Sequence, residues 1–226
     1  KKKRSEDVNV SHLTMLAAAI ALREMPTLHG HFSLGRFCLC RKSSVDVSYL
    51  VPSDASSQGC SMRSILNVDT KPIEDLAREM KERVKSGEDP YKKRRNDFLA
   101  FIPTALKGPA EMFLDMLGSE LGIDFPLLGV RRWPLGACIV VTAPSEGSDI
   151  DMTVVGSPTT SQHVPVAITV GGVRIHSSTK DKQIDNKLVL HMTAAIDLRC
   201  ATAYEAKRLC ERIQHLLCDP EAIDNN

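Results

Sequence analysis

The sequence lacks a long apolar run and a strong net charge of either sign. Its longest apolar stretch, residues 15–22, is far too short to cross a bilayer as a helix. Lysine and arginine total 29 and aspartate and glutamate total 28, so the net charge of +1 argues against a surface built wholly for nucleic acid. The basic start, residues 1–4, is not followed by an apolar stretch, and we therefore expect no secretory signal peptide.

Phosphate-binding glycine motifs are also missing. The chain contains no Gly-x-Gly-x-x-Gly and no Walker sequence. The pair Gly171-Gly172 stands between two strand-like runs, where it indicates a hairpin turn. These absences leave no sequence signature of a nucleotide-binding enzyme.

The cysteine pattern favours a reducing compartment. The seven cysteines are Cys38, Cys40, Cys60, Cys138, Cys200, Cys210 and Cys218. Their odd number and their scatter through apolar stretches are typical of reduced thiols that serve as small apolar side chains. We therefore expect a cytosolic or mitochondrial-matrix protein.

Helical and strand-like patterns alternate along the chain. Helical spacing of apolar residues predicts helices over residues 11–25, from Pro72 to before Gly87, and over residues 110–121 and 204–217. Strands are predicted over residues 37–41, 45–51, 137–141, 151–155, 166–170, 173–176 and 188–196. Because helices flank strands throughout, the fold class is α/β, an α+β sandwich. We expect one domain over residues 1–226.

The order of several segments carries a family resemblance. The segments are Val8-Asn9-Val10-Ser11-His12-Leu13, Asp69-Thr70-Lys71-Pro72-Ile73, Ile139-Val140-Val141-Thr142, Val166-Ala167-Ile168-Thr169-Val170-Gly171 and Asp219-Pro220-Glu221. In this order they resemble the catalytic domain of 2-oxo acid dehydrogenase acyltransferases, which has the chloramphenicol acetyltransferase-like fold. The resemblance covers nearly all of the chain. Residues 90–136 depart most, as a divergent inserted segment closer to that of stand-alone relatives.

The resemblance implies an architecture, a partner and a location. The expected fold is a mixed sheet flanked by helices. The family forms trimers with the active site between neighbouring subunits, so a homotrimer or a place in a multiprotein complex is implied. Residence in the mitochondrial matrix is implied in the same way, with the cytoplasm as the alternative.

The family's catalytic motif, Asp-His-Arg-x-x-Asp-Gly, is degenerate in this chain. The matching residues are Asp197-Leu198-Arg199-Cys200-Ala201-Thr202-Ala203. The family histidine acts as the general base on a thiol, a task for which imidazole suits because it titrates near neutral pH. Leu198 stands in its place and cannot accept a proton. Thr202 replaces the second aspartate and Ala203 the glycine, so we expect no catalytic residues and no cofactor.

Thr142 matches the family hydroxyl that stabilises the oxyanion. Ala143-Pro144 follows it where the family has Asn-Leu. An alternative is an active CoA-dependent acyltransferase with an atypical base, for which His163, His176 and His191 are the candidates. His191 lies seven residues before Leu198, about 23 Å away on an extended strand.

Three smaller patterns have competing interpretations. His29, His31, Cys38 and Cys40 offer metal-ligating side chains, but alternation on a strand accounts for the spacing and we expect no metal. Cys200 is interpreted as a structural thiol, and Asp197 with Arg199 as a structural ion pair. The basic patch Lys92, Lys93, Arg94 and Arg95 suits a solvated loop, phosphate backbones or anionic headgroups.

These observations favour a catalytically inactive acyltransferase-fold protein that acts as a structural or interaction subunit. The atypical enzyme and a nucleic-acid-associated module that uses the basic patch are the alternatives.

Overall fold

The computed structural model describes residues 8–52, 60–85, 90–142, 163–180, 183–219 and 223. Its α-helices are α1 (Val10–Glu24), α2 (Ile73–Lys85), α3 (Pro90–Ala100), α4 (Thr104–Asp115) and α5 (Ala203–Cys218). Its strands are β1 (Gly30–Ser33), β2 (Arg36–Leu39), β3 (Val47–Pro52), β4 (Cys60–Ile65), β5 (Cys138–Thr142), β6 (Val166–Lys180) and β7 (Gln183–Ile196). Among these residues, no helix has the length and apolar character needed to span a membrane.

The five-stranded sheet forms the centre of the fold. Its order is β4-β3-β5-β6-β7, with β3, β5 and β6 parallel and the outer strands β4 and β7 antiparallel to their neighbours. Helices α1, α2 and α5 pack on one face of the sheet and share its main hydrophobic core. This arrangement confirms the predicted α+β sandwich with a mixed sheet.

Helix α1 runs through this core, and every residue from Met15 to Leu22 is buried. Asn9 caps the helix: its side chain accepts the His12 N–H (3.2 Å), and the His12 ring accepts the Asn9 N–H (3.1 Å). The observed helix therefore begins and ends one residue earlier than the helix predicted over residues 11–25.

The predicted turn at Gly171-Gly172 is wrong. Strand β6 continues through both glycines, and the register slips there between Val170 and Val173 as a bulge. A Cβ atom on Gly171 would lie 3.1 Å from the His191 carbonyl oxygen, so the close approach of the two strands favours glycine. The glycines mark a bulge inside a long strand pair, a role that sequence alone does not separate from a turn.

Residues 90–136 form a small helical unit with a core of its own. Leu99, Leu114 and Val130 are buried at its centre. Helix α4 begins earlier than the predicted helix over residues 110–121 and passes into a π-helical turn, Met116–Glu120. The basic patch, predicted in a loop, lies on α3.

Strands β1 and β4 were not predicted because each is short and neither alternates cleanly. The predicted strand over residues 151–155 and the pair Ala143-Pro144 lie outside the described residues. The expectation of a single domain stays a prediction.

Candidate active site

The loop that matches the family motif turns tightly around Asp197 after β7 ends. The Asp197 N–H donates to the Pro165 carbonyl (3.0 Å), which attaches the loop to the start of β6. The Asp197 carboxylate accepts the Arg199 backbone N–H at 2.8 Å and its guanidinium at 2.9 Å. Asp197 and Arg199 thus form the ion pair expected from the sequence, in which the guanidinium also covers the ring of Phe32 at 4.2 Å.

Leu198 occupies the tip of this loop. Its side chain, which the sequence resemblance matches to the family's imidazole, is 74% exposed and faces outward. No atom of leucine can take a proton from a thiol.

The next residues of the loop have structural roles. Thr202 caps α5: its hydroxyl accepts the Glu205 N–H at 3.2 Å, and the Glu205 carboxylate accepts the Thr202 N–H at 2.9 Å. Ala203 is the first residue of that helix. Burial raises the pKa of Cys200 to about 11, and its thiol donates to the Asp197 carbonyl. A protonated, hydrogen-bonded thiol of this kind is a poor nucleophile.

Thr142, which the sequence resemblance matches to the family's oxyanion-stabilising hydroxyl, is the last residue of β5. It lies on the same face of the sheet as Cys138 and Val140, towards α1. Its hydroxyl is hydrogen-bonded to the Ser11 hydroxyl at 2.8 Å. The Thr142 hydroxyl is therefore hydrogen-bonded to α1, the helix that carries Ser11.

Thr142 and Leu198 lie at opposite ends of the paired strands. Thr142 on β5 pairs with Val170 on β6, which in turn pairs with Met192 on β7. Leu198 instead follows Ile196, which pairs with Val166 at the other end of the segment that β6 shares with β5. Met192 and Ile196 alone are about 13 Å apart along an extended strand. One copy of the chain therefore does not bring the two positions together.

The three candidate bases differ in position. The His176 side chain lies outside the described residues. His191 is exposed on β7, and its neighbours Leu190 and Met192 pack towards the helices. Because side chains alternate along a strand, His191 projects from the face opposite to the Thr142 hydroxyl.

His163 is the candidate held most firmly beside the degenerate loop. Its Nδ1 atom lies 3.5 Å from Oε1 of Glu120, whose other oxygen accepts the Leu34 N–H. The His163 carbonyl accepts the Phe32 N–H at 2.8 Å, and Phe32 in turn lies under Arg199. His163 has a left-handed backbone, with φ of 56°, a conformation often found at functional sites. No motif or spacing in the sequence predicts the contact between His163 and Glu120, which lie 43 residues apart in the chain.

The His and Cys side chains near β1 and β2 do not converge as a metal site. Cys40 Sγ lies 3.9 Å from Nδ1 of His31, and Cys38 lies beside the Arg36 carbonyl. Burial, and to a lesser extent Arg132 and His163, lowers the pKa of His31 to about 4. Within the described ranges, no three His, Cys, Asp or Glu side chains are placed to hold a metal ion.

The basic patch is split by its helix. Lys92 and Lys93 are exposed on α3, and Arg94 donates to the Pro126 carbonyl at 3.3 Å. Arg95 turns inward and forms an ion pair with Asp115 on α4. The exposed cations of the patch are therefore Lys92, Lys93 and Arg94, without Arg95.

Comparisons with solved structures identify the fold. The cubic core of a pyruvate dehydrogenase multienzyme complex matches with a TM-score of 0.61 and 19% identity, over 95% of this chain and 70% of that one. Chloramphenicol acetyltransferase matches with a TM-score of 0.51 and 11% identity, over 91% and 76%. This chain has the chloramphenicol acetyltransferase-like fold. No protein-family model and no curated protein matches its sequence.

A third solved structure shares this fold. Azotobacter vinelandii dihydrolipoamide acetyltransferase matches with a TM-score of 0.60 and 19% identity, over 95% of this chain and 70% of that one. A serine, a histidine and an asparagine were studied for their role in its catalytic mechanism. At identities this low, the acyltransferase fold is shared and the chemistry of this chain has to be argued from its own residues.

Proposed function

We propose that this chain is a catalytically inactive acyltransferase-fold protein that serves as a structural or interaction subunit. The observation that carries the proposal is Leu198, a hydrocarbon side chain at the tip of the loop that would have to supply a base. General-base catalysis of thiol attack needs a group that accepts a proton near neutral pH. Thr142, bonded to Ser11, adds no base of its own.

The proposed assembly is a homotrimer or a larger multiprotein complex. Support comes from the positions of Thr142 and Leu198, which only a second subunit would bring together. A structure with the same fold forms the cubic core of a multienzyme complex. A subunit without catalytic activity can still have a structural role if it keeps its contacts with neighbouring subunits.

The proposed location is the mitochondrial matrix, with the cytoplasm as the alternative. Six described cysteines are free, among them the fully buried Cys138. Free thiols suit either reducing compartment, so the family resemblance alone favours the matrix. Fractionation of the source cells with matrix and cytosolic markers tests this part.

A CoA-dependent acyltransferase with an atypical base is the second candidate. The His163–Glu120 pair favours it, because a carboxylate on Nδ1 orients an imidazole so that Nε2 can accept a proton. In such a reaction the thiol proton would pass to His163, the thiolate would attack the thioester carbonyl, and the departing CoA thiolate would recover a proton.

An acyltransfer assay separates the two candidates. The protein is incubated with acetyl-CoA and dihydrolipoamide, and free CoA is measured beside an active acetyltransferase as positive control. We expect no turnover above the rate without protein. Turnover that Thr142→Ala or His163→Gln abolishes, while the matched variant His215→Gln at an exposed position on α5 retains it, would overturn the proposal of an inactive subunit.

A further inference from the structure

Helix α4 is apolar on two of its sides. On the inner side, Ala110 and Leu114 pack into the small core of the helical unit. On the outer side, Leu106, Met112 and Phe113 are 57%, 77% and 55% exposed. An apolar helix side normally packs against another element, whereas the outer side of α4 is exposed.

The outer side forms a continuous uncharged stripe. At 100° per residue, its members fall within about 120° of the helix circumference. They are Leu106, Pro109, Met112, Phe113 and Met116, and we call them the α4 stripe. The acidic residues Glu111 and Asp115 project from another side of the helix, and Asp115 is neutralised by Arg95.

Phe101 extends this apolar surface at the turn between α3 and α4. Its side chain is 89% exposed, the most exposed of the large apolar side chains described. Exposed aromatic side chains next to an apolar helix face are typical of surfaces that contact another apolar phase.

Cations lie at one end of the α4 stripe. The ion pair between Arg95 and Asp115 places the first two turns of α3 beside the C-terminal end of α4. Lys92, Lys93 and Arg94 in those turns are exposed, and the Arg94 guanidinium also donates to the Pro126 carbonyl. The same unit therefore offers a charge-free apolar stripe and a cluster of like charges at its border.

We propose that the α4 stripe and the basic turns of α3 dock this protein onto the surface of a membrane rich in anionic phospholipid. An apolar helix face enters the boundary between headgroups and acyl chains, while lysine and arginine beside it attract the anionic headgroups. A nucleic acid would use the cations and leave the stripe in water.

The geometry sets the depth of this contact. Helix α4 has 12 residues, about 18 Å, and is too short to cross the hydrocarbon core. The docking is peripheral, with α4 in the plane of the interface. It does not depend on whether the acyltransferase chemistry is lost.

Vesicle flotation tests the proposal with the full chain. We expect flotation with vesicles of phosphatidylcholine and phosphatidylglycerol, and none with phosphatidylcholine alone. Replacing both lysines (K92Q, K93Q) should weaken binding about 25-fold, since each basic residue contributes about a fivefold effect. Replacing two members of the stripe (L106Q, M112Q) should weaken binding about tenfold or more.

Matched variants outside the surface control for fold and charge. Leu39→Gln removes a leucine of similar exposure (59%) on β2, and Lys207→Gln removes an exposed lysine on α5. Both should float like the unmodified protein. Circular dichroism of every variant should match the unmodified chain, because all the replaced side chains are exposed.

Three results would overturn the proposal. The first is failure of the unmodified protein to float with the anionic vesicles. The second is flotation that survives L106Q with M112Q, which would indicate adsorption by charge alone. The third is self-association or RNA retention that the same substitutions abolish, without any binding to vesicles.

Discussion

The buried carboxylate of Asp69 accepts a hydrogen bond from the backbone N–H of Val45, with 2.7 Å between nitrogen and oxygen. Its second oxygen lies 3.5 Å from the Arg23 guanidinium at the end of α1, and the Asp69 side chain is 1% exposed. One carboxylate therefore ties α1 to the entry of β3. This gives the Asp69-Thr70-Lys71 segment, part of the family resemblance, a structural role.

Replacing Asp69 should destabilise the fold. Asp69→Ala leaves the Val45 N–H buried without its acceptor and should lower the free energy of unfolding by about 2 to 3 kcal/mol. Asp69→Asn retains an acceptor oxygen and should cost less. Urea denaturation followed by circular dichroism measures both, with the exposed Asp75→Asn as a control expected to stay within about 0.5 kcal/mol. A loss from Asp69→Ala no larger than this control would contradict the assigned role.

The stability of the fold should fall between about pH 6.5 and pH 4. The His31 ring is buried against Trp133, with 3.7 Å between ring centroids, and burial lowers its pKa from 6.5 to about 4. In this window the unfolded chain binds a proton that the folded chain excludes. The contribution is complete above pH 6.5 and is lost as the pH falls to 4, by at most about 3 kcal/mol.

His31→Phe isolates this contribution, because phenylalanine keeps a ring against Trp133 and binds no proton. The free energy of unfolding of this variant, measured by urea denaturation from pH 7.5 to pH 4, should depend less steeply on pH. The exposed His215→Gln is the matched control and should keep the slope of the unmodified protein. Equal slopes for His31→Phe and the unmodified protein would show that His31 is not buried in its neutral form.

The sequence predicted the fold class because the apolar residues of the main core fall into short runs and regular spacings. On β5 the run Cys138, Ile139 and Val140 is buried throughout, as is typical of a strand at the centre of a sheet, and on β6 the buried Val166 and Ile168 flank the half-buried Ala167. The position of the β6–β7 turn could not be predicted in this way. Gly171-Gly172 satisfies the rules for a turn and for a bulge alike, and only pairing across the two strands separates them.

The candidate site was only partly predictable. The matched order of segments located Leu198 and the Asp197–Arg199 pair, because these residues are close together in the chain. The contact between His163 and Glu120 joins a loop to a π-helical turn and depends on tertiary packing. The basic patch was predicted in a loop because a run of charged residues shows no helical spacing of apolar side chains. Of its four residues only Arg95 turns inward, where it pairs with Asp115.

Thiol reactivity should follow burial along the chain. Burial raises the pKa of Cys138 to about 12 and that of Cys200 to about 11, so both stay protonated at neutral pH. Cys218 is exposed near the end of α5. On treatment with iodoacetamide at pH 7.5, Cys218 should be alkylated well before Cys200 and Cys138, as peptide mass spectrometry would show. Alkylation of Cys200 as fast as Cys218 would indicate an activated thiol and reopen a catalytic role.

The cap of α5 should tolerate the family residue. Thr202→Ala removes the hydroxyl that accepts the Glu205 N–H and should lower the free energy of unfolding by about 1 kcal/mol. Thr202→Asp introduces the aspartate of the motif that the sequence resembles, and its carboxylate can cap the same N–H beside the positive end of the helix dipole, although the Glu205 carboxylate lies close to it. We therefore expect Thr202→Asp to stay within about 0.5 kcal/mol of the unmodified protein.

Thermal and urea unfolding of both variants, with the exposed Thr193→Ala on β7 as a control, measure the effect of the cap. If Thr202→Ala were no less stable than Thr193→Ala, the capping box would contribute nothing. If instead Thr202→Asp were as damaging as Thr202→Ala, the loop would reject the family residue. Such a loop would depart at a second position, besides Leu198, from the motif of the acyltransferase family that the sequence resembles.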